Sequence, residues 1–114
     1  MSTCLFCKIV AGEIPATKVY EDDRLIAFND INPQAPLHAL IVPKRHVATL
    51  NDLTAADDDL VGAMVRAGAT IAKDRGFDGP GFRTVVNCNA QAGQTVFHIH
   101  LHVLGGRVMT WPPG

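Results

Sequence analysis

The sequence predicts an α+β fold, a five-stranded antiparallel sheet with one long helix and a short N-terminal helix. Two observations predict it. Five short runs rich in aliphatic, β-branched and aromatic residues are joined by short turns, which favours antiparallel pairing. One window alone, from Leu60 to Ala72, repeats its apolar residues at helical spacing. That single long helix would cover one face of the sheet. The chain has 114 residues, which suits one domain over 1–114. With 47% hydrophobic and 18% charged residues it can bury a core without disulfides. Folding should hide roughly two thirds of its extended-chain surface.

The elements follow in order. "CLFCKIVAGEIP" (4–15) predicts a short helix that ends before Pro15. "TKVYED" (17–22) and "RLIAFND" (24–30) read as two strands around Asp22 and Asp23. "INPQAP" (31–36) is a loop with two prolines, and "LHALIVP" (37–43) a third strand. The next stretch, "KRHVATLND", carries no clear period. Thr54 followed by Asp57 resembles a capping box, and the run Asp57–Asp59 suits the positive end of a helix dipole. Leu60, Val61, Met64, Val65, Ala67, Gly68, Ile71 and Ala72 mark the helix, with Lys73 and Arg75 in its last turn and Gly76 as its stop. "FRTVVNCN" (82–89) predicts the fourth strand and "VFHIHLHVLG" (96–105) the fifth. The tail ends in "WPPG", whose consecutive prolines cannot continue a helix or a central strand.

Composition narrows the function classes. Net charge is −1, with the charges interspersed and no basic stripe, so no nucleic-acid partner is expected. No apolar stretch reaches the roughly 18 residues of a membrane span, so no membrane partner is expected either. The N-terminus lacks the pattern of a signal peptide, which predicts a cytoplasmic protein. Three cysteines, Cys4, Cys7 and Cys88, argue against a disulfide framework in a reducing compartment.

The chemistry concentrates in "GQTVFHIHLHV". Side chains on a strand alternate between faces, so His98, His100 and His102 should share one open face. Phe97, Ile99, Leu101 and Val103 should share the other and enter the core. Idle imidazoles at this spacing are costly, because protonation would crowd like charges. Two chemistries suit the face: metal chelation, and nucleophilic catalysis in which one histidine attacks while its neighbours orient it and stabilise anionic charge. Gly93, whose backbone admits a close ligand, and the donors Gln94 and Thr95 suit phosphate oxygens. No glutamate stands nearby as a base for metal-bound water. Phosphate chemistry is therefore favoured.

"HIHLHV" also resembles the histidine triad motif, His-φ-His-φ-His-φ-φ with φ apolar. The likeness extends through "FCKIVAGEIPATKVYEDDRLIAFNDINPQAPLHALIVPKRH", "AGQTVFHIHLHVLGGR" and "WPPG", and is strongest to the Hint branch of the histidine triad (HIT) superfamily, the purine nucleoside phosphoramidases. The resemblance implies an enzyme that cleaves purine nucleoside phosphoramidates or adenylates through a nucleotidyl-histidine intermediate. His100 would attack the α-phosphorus, His102 would hydrogen-bond phosphate oxygens, and His98 would assist the leaving group. His38 would support the triad from an adjacent strand; from the residues alone it reads equally as an ordinary polar-face histidine. Phe28, Asn29, Asp30 and Ile31 would form the nucleoside pocket, with Asp30 on the ribose hydroxyls. Asp30 also reads as a turn cap before Asn32-Pro33. Asn29 stands where the best-known members have a histidine, and Thr95 where serine is commoner. Asn87, Gly93, Gln94, Thr95 and Val96 match phosphate-site positions. Trp111 resembles a C-terminal segment that reaches toward the partner's site in a homodimer; from the residues alone a lone Trp near a terminus reads as a packing anchor. A dinucleoside polyphosphate hydrolase, a non-catalytic nucleotide-binding or scaffold dimer, and a hydrolase using the histidine face as a catalytic metal site are the rival readings.

"CLFC" alone could be chance, redox or metal; a thioredoxin-type site would need a βαβ context, which is absent. The resemblance implies a structural Zn²⁺ held by Cys4, Cys7, His46 and His98, with no cofactor required for the chemical step. Cys88 reads as a small buried side chain.

Overall fold

The computed structural model describes residues 3–114. The elements are α1 (Leu5–Val10), β1 (Lys18–Glu21), β2 (Leu25–Asn29), β3 (Leu37–Pro43), α2 (Asp58–Asp74), β4 (Phe82–Val85) and β5 (Leu101–Gly105). The five strands form one sheet in the order β1-β2-β3-β5-β4, every neighbour antiparallel. The predicted fold class is the observed one. No helix of the described residues is long and apolar enough to cross a membrane.

The central strands are apolar on both faces, and their period of two splits them between two cores. Leu25 and Ala27 of β2, Leu37, Ala39 and Ile41 of β3, and Leu101 and Val103 of β5 face α2, meeting Met64, Ala67 and Ile71. Ile26 and Phe28 of β2 and Leu40 and Val42 of β3 face the other way and meet Phe6 and Ile9 of α1. Gly68 lets α2 come close to the sheet: a Cβ there would stand 3.2 Å from the Val103 side chain. The Thr54/Asp57 pair, with the Asp57 carboxylate accepting the Thr54 N–H at 2.9 Å, closes a 3₁₀ turn over Ala55–Asp57 that leads directly into α2, and the stop of α2 follows the sequence. At the other end the Gly76 and Phe77 N–H groups donate to the Lys73 and Ala72 carbonyls, with Gly76 at φ +83°. This is a Schellman closure, for which glycine is suited.

Two predicted strands are shorter than expected. β5 begins at Leu101 rather than 96, and β4 ends at Val85 rather than 89. Pro43 accounts for the first. The β3–β5 ladder runs from Leu37↔Gly105 to Ile41↔Leu101, and two residues further its register would set Pro43 against Ile99. Proline has no N–H to give a ladder. The chain leaves the sheet there, and the Ile99 N–H donates instead to the Val47 carbonyl at 2.8 Å. β5 offers only Leu101 beyond the Val85↔His102 pair, and β4 stops at Val85. His98 and His100 therefore precede the strand, and only His102 lies in it. The expected open face is also corrected: α1 covers this side, and His38, His98 and His100 are buried. On the opposite face Ile99, Leu101 and Val103 enter the core as predicted, but Phe97 is 48% exposed.

Candidate active site and metal centre

The site forms where α1 crosses the sheet above β2, β3 and the segment entering β5. His38, His98 and His100 are each fixed by a backbone group of known polarity, which determines where the proton sits, and His102 is fixed in turn by His38. The His100 Nδ1 lies 2.8 Å from the His98 carbonyl oxygen. A carbonyl only accepts, so Nδ1 carries the hydrogen and Nε2 holds the lone pair of the neutral ring. His38 is the reverse case. Its Nδ1 accepts the Gln34 backbone N–H at 3.0 Å, so its hydrogen is on Nε2. That Nε2–H donates to the His102 Nδ1 at 2.9 Å. His102 in turn carries its hydrogen on Nε2. Leu40 lies directly across from His102 and His38 pairs with Leu104, so the two rings meet on a diagonal of the β3–β5 ladder.

These rings border a cavity of about 690 Å³. His100 and His102 form one side, and Phe28, Asn29, Asp30 and Ile31 another. Thr95 and Val96 close a third side. The remaining wall comes from Phe6 and Ile9 of α1 and from Ile14, Pro15 and Ala16 after it. The sequence reading missed this wall. Its signal was the i, i+3 pair Phe6 and Ile9 within "LFCKIV", which marks the buried face of a short helix. The Phe6 ring stands edge-on to His100, with centroids 5.0 Å apart and planes at 90°.

Burial keeps the supporting histidines neutral. It pushes the His38 imidazole below its ordinary range, opposed by the Asp30 carboxylate. It lowers His102 to about 4, reinforced by the neighbouring His100 and His38. Asp30 serves two partners. One carboxylate oxygen accepts the Asn32 N–H at 2.8 Å, the turn cap, and the other lies 3.5 Å from the His38 Nε2.

The phosphate-site positions divide. Thr95 and Val96 reach the cavity, but Asn87 and Gly93 are not in its lining. Gly93 adopts φ +89°, a turn that glycine makes without strain. Gln94 is 6% exposed and its side chain is fully engaged. Its Oε1 accepts the Asn89 N–H at 2.8 Å, and its Nε2 donates to the Ala48 and Val96 carbonyls at 2.8 and 3.1 Å. It braces the loop that carries Thr95. Trp111 is 81% exposed and does not line the cavity of its own chain.

The His98 ring leaves the triad. Its Nε2–H donates to the Pro43 carbonyl at 2.7 Å, so Nδ1 offers a lone pair on the opposite side. There it meets Cys4, Cys7 and His46. The Nδ1 stands 3.4 Å from the Cys4 Sγ, 3.5 Å from the Cys7 Sγ and 3.2 Å from the His46 Nδ1, and the Cys7 Sγ is 3.2 Å from the His46 Nδ1. A tetrahedron with Zn–S near 2.3 Å and Zn–N near 2.0–2.1 Å has edges of about 3.3–3.8 Å. The four donors fit such an ion in spacing and in chemistry. The Pro43 contact is the outer hydrogen bond that fixes a ligating imidazole, and burial lowers the His98 pKa, so the ring stays neutral as ligation requires. The His98 ring does not border the cavity: its Nε2 donates to Pro43 and its Nδ1 faces Cys4, Cys7 and His46. Its backbone carbonyl serves the triad instead. Cys88 is half-buried, not fully buried as expected, and stands apart from this cluster.

The likeness to known proteins covers nearly the whole chain. Residues 3–110 match the family model described as scavenger mRNA decapping enzyme C-term binding. A HIT family hydrolase from Legionella pneumophila shares 54% identity and superposes with a TM-score of 0.96, covering 98% of this chain and 100% of that one. The purine nucleoside phosphoramidase of Escherichia coli is 46% identical over 103 residues, 90% of this chain and 87% of that protein. The 14 kDa zinc-binding protein of Brassica juncea is 46% identical over 113 residues, 96% of this chain and 98% of that protein. With its triad in place and relatives this close along its whole length, the chain belongs to the histidine triad (HIT) family.

Proposed function

We propose that this protein hydrolyses purine nucleoside phosphoramidates or related adenylates, with His100 as nucleophile. One observation carries the reading: His100 has its lone pair on the Nε2 of a ring that borders the cavity, beside a His102 whose Nε2 is a donor. The nucleoside would lie between Phe28 and the α1 wall, with Asp30 near the ribose. His100 Nε2 then forms a bond to the α-phosphorus while the P–N bond to the leaving amine breaks. The product is a nucleotidyl-imidazole, and the amine takes its proton from solvent. Water attacks the phosphorus in a second step and gives up a proton to solvent, and the P–N bond to His100 breaks, returning the electron pair to Nε2 and releasing the nucleoside monophosphate. Splitting the displacement in two lowers the barrier of each step. The His102 N–H and the Thr95 hydroxyl offer hydrogen bonds to the phosphate oxygens. Identity to the E. coli phosphoramidase supports the substrate class.

The same reading includes a structural Zn²⁺ on Cys4, Cys7, His46 and His98. The donor spacing and the zinc-binding relative support it. The ion would stabilise the fold, while the chemical step uses the histidines alone. We further take the protein to act in the cytoplasm as a homodimer, with the exposed Trp111 of one copy reaching the cavity of the other.

The test is hydrolysis of adenosine 5′-phosphoramidate by the native protein and by His100→Ala. The native protein should release AMP and ammonia, and the variant should lose on the order of a thousandfold or more in kcat. Full turnover by His100→Ala would sink the mechanism. Cleavage of a dinucleoside polyphosphate in preference to the phosphoramidate would favour a P–O–P hydrolase. Zinc analysis of Cys4→Ser tests the metal, and unchanged zinc content would refute it.

A further inference from the structure

The metal cluster and the nucleotide cavity share one short helix. Cys4 is the N-cap of α1 and Cys7 lies within it. Between them Phe6 lines the cavity. It is 4% exposed, and its ring meets His100 at 5.0 Å, Phe28 at 5.4 Å and His98 at 6.1 Å between centroids. A second link runs through His98, whose ring joins the cysteines while its carbonyl holds the His100 Nδ1–H. The helix itself is six residues long, too short to persist without tertiary support. Its supports are the buried Phe6 and Ile9 on one side and its two cysteines on the other. An ion that draws Cys4, Cys7, His46 and His98 together would therefore fix the α1 wall of the cavity and the orientation of the His100 ring at once.

We infer that Phe6 is a positioning residue, and that Phe6 and the His98 carbonyl couple metal occupancy to nucleotide binding. Each ligand tightens the other by the same factor, because binding linkage is reciprocal. The inference rests on the proposed function only in taking AMP as a ligand of the cavity. No chemical step passes through the ion.

The experiment uses the zinc-loaded native protein. Zinc affinity is measured by chelator competition, with and without saturating AMP, and AMP binding is measured separately by calorimetry. AMP should raise zinc affinity by about fivefold or more. Adenosine should do the same, since it has no phosphate that could contact the ion. Phe6→Leu, which keeps an apolar side chain but removes the ring edge, should retain zinc and lose the AMP effect. A purely structural Phe6 would shift zinc affinity alike with and without AMP and leave the ratio unchanged. AMP that binds without changing zinc affinity overturns the coupling and leaves the nucleotide reading intact. A Phe6→Leu protein that keeps the full ratio overturns the role of Phe6. AMP that does not bind at all overturns both readings. Should Phe6→Leu fail to fold, Phe6→Met takes its place, and the native comparison still decides the coupling.

Discussion

His98 holds His100 with its backbone while its own ring turns away. The His98 carbonyl accepts the His100 Nδ1–H at 2.8 Å, and the His98 ring spans from the Pro43 carbonyl to Cys4, Cys7 and His46. Two histidines in one motif are thereby forced into opposite tautomers. His98 carries its hydrogen on Nε2 and frees Nδ1; His100 carries its hydrogen on Nδ1 and frees Nε2.

This yields the first prediction. Ring-nitrogen NMR at neutral pH should show His100 protonated on Nδ1, and His38, His98 and His102 protonated on Nε2. A His100 protonated on Nε2 would leave no lone pair for attack and would defeat the proposed chemistry.

The alternation of "HIHLHV" made the chemistry legible from sequence, because period-two spacing makes successive histidines neighbours on one side of the chain. It could not show where the strand begins. That depends on Pro43, fifty-five residues from His98 in sequence, and on which ladder it interrupts. The proposed metal set was legible only through a family resemblance, since "CLFC" names two candidate ligands and the fold brings up the other two. The α1 wall was missed because a six-residue helix carries too few turns to show a period. Residue type and family resemblance both mark Gln94 as a phosphate-site donor. Its three bonded partners, at Ala48, Asn89 and Val96, come together only in the folded loop.

The second prediction concerns the support of His102. The His38 Nε2–H is the group that holds the His102 tautomer. Replacing it with an apolar ring of similar size, His38→Phe, removes one hydrogen bond and leaves the His102 Nδ1 unpaired. At about 1 kcal/mol for such a bond, kcat should fall about fivefold while the His100 tautomer stays as it is. An unchanged kcat would show that His102 needs no partner to donate toward the substrate.

A third prediction follows from Gln94. Gln94→Ala deletes three hydrogen bonds at a buried position and leaves the Asn89 N–H and the Ala48 carbonyl without their partner. The expected loss of stability is about 2–3 kcal/mol, read by urea unfolding. The Thr95 loop should loosen with it, so KM for the phosphoramidate should rise more than kcat falls. A variant with native stability would mean that water replaces the amide at no cost.

The last prediction is the pH dependence of stability. In the unfolded chain an imidazole titrates near 6.5, whereas burial holds the folded His102 at about 4. The neighbouring His100 and His38 push in the same direction, and Asp30 opposes them. Between those two values the unfolded chain binds a proton that the native protein refuses. Stability therefore rises with pH through this window, and falls as pH drops from about 6.5 toward 4. His38 is shifted the same way and adds to the slope. Between about pH 7 and pH 5 the His102 contribution should amount to about 1–2 kcal/mol. Loss of a metal from the proposed site at low pH would also destabilise the protein, so the native curve alone does not isolate His102. The comparison with His102→Gln does, because both proteins keep the same Cys4, Cys7, His46 and His98 set. Unfolding free energies measured across the window should fall more steeply for the native protein than for the variant. Parallel curves would mean that His102 takes up its proton as readily folded as unfolded, and that it is not a neutral donor held in place by His38.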